Sequence, residues 1–208
     1  ASVLYGSNAM AGVINISTKK RQREGVSFLT NLSYGSFNTR KLSAGVGYKK
    51  EKFSAKISFN NDYSDDHRPS SSYNLINGLF NSSYAFSSIW SLEFDTYITR
   101  VKTHNPGTIT NPFLDNSAWT DITRANASII FKNKYENAEG SAHIYFNNGV
   151  HDIYDGFHSN DNLFGVTIRE GFSISDNTIL IIGSELKRFS GKARNAFPLI
   201  DTTVTETA

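Results

Sequence analysis

The chain has 208 residues, of which 21 are basic and 19 acidic, so its formal net charge is only +2. This balance does not suggest a nucleic-acid-binding protein, because that class presents a basic surface to phosphates. Cysteine is absent, which excludes disulfides, thiolate metal sites and a cysteine nucleophile. The sequence has no apolar run long enough for a membrane helix, yet aromatic residues make up 13%, as expected for β-strands and membrane interfaces.

The first segment, residues 2–20, is small and apolar and differs in character from the rest of the chain. It contains Gly6 and Gly12 and closes on an apolar stretch that we interpret as a buried strand. The basic run from Lys19 to Arg23 comes next and has the character of a solvated linker. Because the chain opens at Ala1 without an initiator methionine, we expect it to be a piece of a longer protein.

From Val26 onward, apolar and polar residues alternate with a period of two, which predicts β-strands and not helices. The clearest example is residues 53–63, where Phe53, Ile57 and Phe59 alternate with serines, lysine and asparagine. The predicted strands are residues 26–36, 41–49, 53–63, 73–85, 89–102, 120–134, 140–150, 163–174 and 178–189. Several reach about ten residues, the length that a tilted strand needs to cross a bilayer.

The predicted connections alternate in length. The short ones are residues 50–51, 85–88, 136–139 and 175–177. Residues 35–38 belong to the other, longer set and are its one short exception. The long ones are residues 64–72, 103–119 and 151–162, together with the tail after residue 189. Short turns at one rim and long loops at the other are typical of outer-membrane β-barrels.

Residue types on the two faces support the same interpretation. Five charged residues oppose the apolar rows and would face a wet lumen: Lys56, Asp62, Glu93, Asp95 and Lys132. Five aromatic residues lie close to the short turns and predict an interfacial girdle: Tyr48, Phe53, Tyr84, Phe86 and Trp90. Ordinary cross-strand aromatic pairing is the alternative explanation for them. Glu170 is a misfit, since it falls in an apolar row, and a bulge or a position near the rim would accommodate it.

The opening segment carries a family resemblance. Its Leu4-Tyr5-Gly6-Ser7 and its Gly12-Val13-Ile14-Asn15-Ile16, closed by Thr18-Lys19, resemble the end of the plug domain in TonB-dependent outer-membrane receptors. The signature residues are Tyr5, Gly6, Ser7, Gly12 and Asn15, which we expect to fold the plug without touching substrate. Ala11 departs from the family, which often has glycine there. The motif covers about a tenth of the chain.

The resemblance implies an all-β fold, namely part of a 22-stranded antiparallel transmembrane β-barrel preceded by the last strand of a plug domain. Residues 1–20 would end the plug, residues 21–25 would link it, and residues 26–208 would form about the first nine strands of an incomplete barrel. It also implies the outer membrane of a Gram-negative bacterium and energised uptake of a bulky scarce nutrient, namely an iron-siderophore, haem or cobalamin. The implied partners are TonB, through the missing plug region, the nutrient and outer-membrane lipid, with no nucleic acid.

Candidate site residues come from the predicted loops. Trp119, Tyr154, Phe157 and His104 are candidates for contact with a bulky substrate. Asp62, Asp65 and Asp66 cluster at the end of the third strand, and carboxylate oxygens are the ligands that calcium prefers. Calcium in an extracellular loop is the one cofactor that the sequence suggests. We expect no enzyme, because the sequence contains no nucleophile elbow, Walker loop or zinc-protease motif.

Two other classes of protein remain open from the sequence. A passive porin or adhesin barrel would have no plug motif before its first strand, so the opening segment argues against it. A soluble β-rich binding module would fold without detergent and bury both faces of its sheets against protein.

Overall fold

The computed structural model describes residues 23–112 and 117–195, together with the backbone of the strand Asp201–Thr207. The described strands form one antiparallel sheet in which each pairs with the next along the chain. They are β1 (Gly25–Gly35), β2 (Thr39–Lys50), β3 (Phe53–Ser64), β4 (Tyr73–Ala85), β5 (Trp90–His104), β6 (Trp119–Lys134), β7 (Ala138–Ile153), β8 (His158–Ser175), β9 (Thr178–Arg194) and β10 (Asp201–Thr207).

The all-β, antiparallel prediction is confirmed, and each of the nine predicted strands is present. The tenth strand was not predicted from the sequence. The plug signature, Tyr5, Gly6, Ser7, Gly12 and Asn15, lies outside the described residues, as does the proposed plug end at residues 1–20. Within the described residues there is no helix of the length and apolarity that crossing a membrane requires.

The register separates the side chains into two faces, because directly opposed residues in antiparallel strands point to the same side. Phe28, Val46 and Ile57 oppose one another in turn across β1–β3, and Phe131, Ala142 and Ile168 do so across β6–β8. We call this side the apolar face. The other side, the polar face, carries the five charged residues predicted to share one side: Lys56, Asp62, Glu93, Asp95 and Lys132.

The apolar face is uncovered in the described part of the chain. Its side chains are unusually exposed for their type, with Ile57 and Ile168 each 57% accessible and Ile144 47%. Each described strand contacts only its neighbours in the sheet, so no second layer packs over either face there. Ala118 is the one buried apolar residue among those described. A sandwich would instead bury one face of each sheet in a shared core.

The aromatic residues gather where the apolar face meets one rim. We call this rim, formed by residues 51–52, 86–89, 135–137 and 176–177, the turn rim. The rings of Trp90 and Phe131 stack with centroids 4.8 Å apart, and Tyr135 meets Trp90 edge-on at 5.8 Å. Tyr84 and Phe86 extend the cluster, with centroids 5.1 Å apart. The predicted grouping of aromatics by the short turns is therefore confirmed, whereas their contact with an interface stays a prediction.

The opposite rim, the loop rim, consists, among the described residues, of residues 36–38, 65–72, 105–112, 117–118 and 154–157. The predicted long connection at residues 151–162 is wrong, because β7 continues to Ile153 and β8 begins at His158. The turn between them closes through a bond from Ile153 N–H to Phe157 O of 3.0 Å, with Gly156 at a φ of 88°. Glycine adopts this left-handed conformation at no steric cost, which permits the tight reversal.

The misfit residue Glu170 is accommodated by a glycine on the neighbouring strand. Glu170 lies directly opposite Gly140, and a Cβ built on Gly140 would be only 1.9 Å from Glu170 Oε2. The glutamate therefore lies flat across β7 and reaches β6, where Asn133 Nδ2 donates to Glu170 Oε1 at 2.8 Å. Asn133 is only 8% exposed. Asn133 and Glu170 thus satisfy each other's hydrogen-bonding groups on the apolar face, close to the turn rim. The bulge at Glu170 that was considered from the sequence is not needed.

Candidate functional site

The four aromatic and histidine candidates come together at the loop rim. Trp119 and His104 are directly opposed, and Tyr154 N–H donates to Trp119 O at 3.1 Å. Phe157 lies in the same turn as Tyr154. By strand parity, however, Trp119 and His104 lie on the side of the apolar face, where Lys102 Nζ is 5.3 Å from the centre of the Trp119 ring. Their role in substrate contact stays a prediction.

The three candidate carboxylates have separate partners. Asp62 lies on the polar face of β3 opposite Leu75, whereas Asp66 accepts a hydrogen bond at Oδ1 from Ser71 N–H of 2.8 Å. Asp65 accepts from the Tyr63 hydroxyl at 2.5 Å and from Asn38 Nδ2 at 2.9 Å. In residues 23–112 and 117–195, no group of three His, Cys, Asp or Glu residues is placed to hold a metal ion. Calcium binding therefore stays a prediction without geometric support.

Asp65 instead joins two loops. Its backbone N–H donates to Phe37 O at 2.8 Å, which ties residues 65–72 to the turn at residues 36–38. The Tyr63 hydroxyl and then the Asn38 amide lower the pKa of the Asp65 carboxyl, because both donate to its charged form. Since the pKa is lower in the folded state, this contribution to stability is complete above the ordinary aspartate pKa. It is lost as the pH falls through the lowered value.

The change Tyr63→Phe tests this account. Removing the hydroxyl removes the largest cause of the shift, so the pKa of Asp65 should rise toward that of an ordinary aspartate. A carboxyl-carbon NMR titration of the protein in detergent measures it directly. The variant Tyr73→Phe, which alters a tyrosine of the same rim, should leave Asp65 unchanged. An Asp65 titration identical in wild type and Tyr63→Phe would contradict the assignment.

The middle of the polar face is cross-linked by charged and amide side chains. Lys132 Nζ donates to Glu93 Oε2 at 2.8 Å between β5 and β6, and Asn81 donates to Asp95 between β4 and β5. Glu93 is 8% exposed. A second set of contacts starts from Tyr145 on β7. Its ring covers Gly165 on β8, and its hydroxyl donates to Glu185 Oε1 on β9 at 3.3 Å. Paired charges and a ring that covers a glycine thus link neighbouring strands on this face.

Nearer the loop rim, a charged cluster spans three strands. Arg124 Nη1 donates to Asp161 Oδ1 at 2.7 Å, and Arg124 Nη2 lies 2.8 Å from His151 Nε2. Gly149 lies between Arg124 and Asp161 in the register, and a Cβ there would be 2.4 Å from Arg124 Nη1. The missing side chain therefore allows residues of β6 and β8 to meet. Because arginine is always a donor, the contact is a hydrogen bond when His151 accepts at Nε2.

This cluster borders a groove of about 550 Å³. On its turn-rim side lies one register row of the polar face, whose members are Tyr97, Asn126, Asn147, Leu163 and Phe189. Tyr97 and Phe189, at the two ends of the row, are 37% and 39% exposed. We call this place the Arg124 groove. It is a concave site on the polar face that combines charged, amide and aromatic groups.

Sequence reasoning missed the Arg124 groove. Its members lie inside strands and not in loops, and they are separated along the chain by up to about ninety residues. A signal did exist, because strand parity alone places Arg124, Asn126, Asn147 and Asp161 on the polar face. Their adjacency depends on the register, which is set by the short turns between the strands.

No protein family profile, no curated protein and no solved structure matches this chain.

Proposed function

We propose that this chain is part of the wall of a 22-stranded outer-membrane barrel that serves as a TonB-dependent receptor in a Gram-negative bacterium. The observation that carries the proposal is the apolar face, which is exposed and uncovered across nine neighbouring strands. Soluble monomers rarely leave apolar surface of this extent open to water. Hydrocarbon would cover it, and closure with further strands would satisfy the edge backbone groups.

Two further features support a barrel wall. The aromatic cluster that includes Trp90 and Tyr135 lies at one end of the apolar face, where aromatic girdles meet the membrane surface. At the other end, the same face turns polar on β7 and β8. There Asn148 Nδ2 bonds Asn160 Oδ1 at 3.0 Å and Asn162 Oδ1 at 2.9 Å. The apolar surface is thus a belt bounded on both sides, as lipid requires.

The receptor class is proposed over a passive pore for two reasons. The first reason is that the opening segment resembles the end of a plug domain. The second is that the polar face carries a patch of exposed apolar residues. Ile179 and Ile181, near the turn rim, lie on the polar face and are 68% and 42% exposed. Gly171, beside them, leaves the surface accessible to close approach. A domain inside the barrel would cover such a patch, whereas an open channel would leave it in water.

The nutrient would enter from the loop rim and be drawn inward by work supplied through TonB. The resemblance implies an iron-siderophore, haem or cobalamin as cargo. On this arrangement, the Arg124 groove faces the interior near the outer end of the barrel. The side chains of Trp119 and His104 are directed away from it.

Spin labels placed one at a time at Val46, Ile57 and Leu92 test the lipid assignment. In the complete protein reconstituted in bilayers, each label should be more accessible to oxygen than to a water-soluble nickel chelate. Matched labels at Gly47, Ser58 and Glu93, each the next residue in its strand and on the polar face, should be less accessible to oxygen. Greater accessibility to the nickel chelate at all three apolar positions would refute a membrane location.

Transport is tested separately in cells. Deleting the complete gene should abolish growth on one scarce iron chelate, on haem as iron source or on cobalamin. Removal of TonB should have the same effect. Uptake that persists without TonB would point to a passive barrel instead.

A further inference from the structure

We infer that the Arg124 groove binds an uncharged ligand whose surface carries amide or hydroxyl groups, and that it selects against anionic chelates and haem. The inference rests on the proposed function and narrows the cargo of that receptor. It is carried by three properties of the groove: its charge balance, its unpartnered amides and the aromatic rings at its ends.

The charges of the groove cancel. Arg124 and Asp161 are in direct contact at 2.7 Å, and their side chains are 44% and 46% exposed, so both groups face an approaching ligand. An anionic ligand that approaches the guanidinium also meets the Asp161 carboxylate, and a cationic ligand meets Arg124. A neutral ligand avoids both repulsions and has a donor and an acceptor available to it.

The amides of the groove are free to bind a ligand. Asn126 and Asn147 are directly opposite each other on β6 and β7. Within the described residues neither side chain makes a hydrogen bond, whereas Asn148 on the other face bonds two asparagines. Two adjacent amides present two NH2 groups as donors and two carbonyl oxygens as acceptors, so they can bind both the donors and the acceptors of a ligand's amide or hydroxyl groups. Sites built to hydrogen-bond such groups discriminate strongly against ligands that lack them.

The rings at the ends of the row set the scale of the ligand. Tyr97 on β5 and Phe189 on β9 are four strand spacings apart, which is roughly 19 Å along the sheet. Both are partly exposed although they lie on the polar face. The groove volume of about 550 Å³ falls within the range of small-molecule sites, which is about 300–1,000 Å³. A bulky ligand could therefore place apolar or ring surface on these residues and polar groups on the amides between them.

The test uses binding titrations of the complete protein in detergent. The uncharged probes are cyanocobalamin, a neutral ferric trihydroxamate and maltotriose, and the anionic probes are ferric citrate and haemin. We expect one uncharged probe to bind more tightly than either anionic probe. Asn126→Leu and Asn147→Leu, which keep the branched shape of the side chain and remove the amides, should each weaken that binding about tenfold. Ser128→Ala, on the same face of β6, should leave it unchanged.

The second part of the test looks for a variant that gains affinity for an anionic probe. Asp161→Asn removes the negative charge and leaves Arg124 unbalanced, so affinity for ferric citrate or haemin should rise. Tighter binding of an anionic probe than of every uncharged probe by the wild type would overturn the inference. So would no binding of any uncharged probe, or unchanged binding in both asparagine variants. TonB-dependent uptake confined to anionic chelates would overturn it and leave the proposed function standing. Binding of an uncharged probe without energised uptake would instead count against the proposed function.

Discussion

Replacing Ile144 by arginine is expected to destabilise the protein in a bilayer by about 2–4 kcal/mol, the cost of a basic residue on the lipid face of a barrel near the membrane centre. Ile144 lies in the middle of the apolar face, opposite Ile129 on one side and Val166 on the other. It is 47% exposed to solvent in the sheet. In a soluble sheet, a substitution at such an exposed position changes stability by only about ±0.5 kcal/mol.

The free energy of unfolding is measured by denaturant titration of the complete protein in lipid vesicles. Asn147→Arg, in the same strand but on the polar face, is the matched control and should change stability little. This control measures folding only, so the proposed role of Asn147 in ligand binding does not affect the comparison. Equal and small effects of both substitutions would mean that no hydrocarbon covers Ile144. The pair thus separates a membrane wall from a soluble module more sharply than either variant alone.

Gly140→Ala is expected to cost about 3 kcal/mol, although it adds a single methyl group. The new Cβ would be 2.6 Å from the backbone oxygen of Arg169, which cannot rotate away, and 1.9 Å from Glu170 Oε2. Crowding of this kind typically costs about 1–3 kcal/mol. The displaced carboxylate also loses its bond from Asn133, and hydrogen bonds to charged groups contribute about 1.5–3 kcal/mol.

Gly171→Ala is the matched control for this glycine. Its Cβ would meet Glu139 O at 3.5 Å and Ile181 Cγ1 at 3.7 Å, both ordinary contact distances. Denaturation midpoints of the two variants in detergent should therefore differ clearly, with only Gly140→Ala shifted. If the two midpoints agree, Glu170 does not lie across β7. Adding Glu170→Gln to Gly140→Ala should recover part of the loss, because the expelled group is then uncharged.

The alternation of apolar and polar residues was sufficient to locate β1 to β8, and β9 was located although its first residues, Ile179 to Ile182, are apolar on both sides. It failed where that alternation stops. Residues 151–162 are mostly polar, apart from Ile153, Tyr154 and Phe157, and contain Gly156, so they have the composition of a loop. The structure continues the strands there with polar pairs, such as His158 Nδ1 and Asp152 Oδ1 at 2.6 Å. The composition of this segment predicts a loop, whereas hydrogen bonding between residues on the two strands extends the β-ladder through it.

Contacts between strands that are separated by a third strand could not be predicted from the sequence, for a different reason. The Asn133–Glu170 and Arg124–Asp161 pairs each join β6 to β8 across a glycine of β7. Predicting them requires the register of two hairpins and the recognition that Gly140 and Gly149 leave room in between. Strand parity alone correctly placed Glu170 in an apolar row, but it could not identify Asn133 as its hydrogen-bond partner. The loop candidates were easier to name, yet strand parity directs two of them, Trp119 and His104, to the apolar side.

The polar ends of β7 and β8 form a paired stem that, on the proposed orientation, would stand at the cell surface. Beyond Phe146 and Phe164, where Val150 is the one further apolar residue on the apolar face, the two strands remain paired as far as Asp152 and His158. At about 3.3 Å per residue, this stem projects roughly 20 Å along the strand direction. On the proposed orientation, the tip at Tyr154 to Phe157 is held clear of the lipid on a fixed support. Antibodies or phage that recognise this tip would therefore meet a shaped epitope, and a denatured peptide of the same sequence would be a poor substitute.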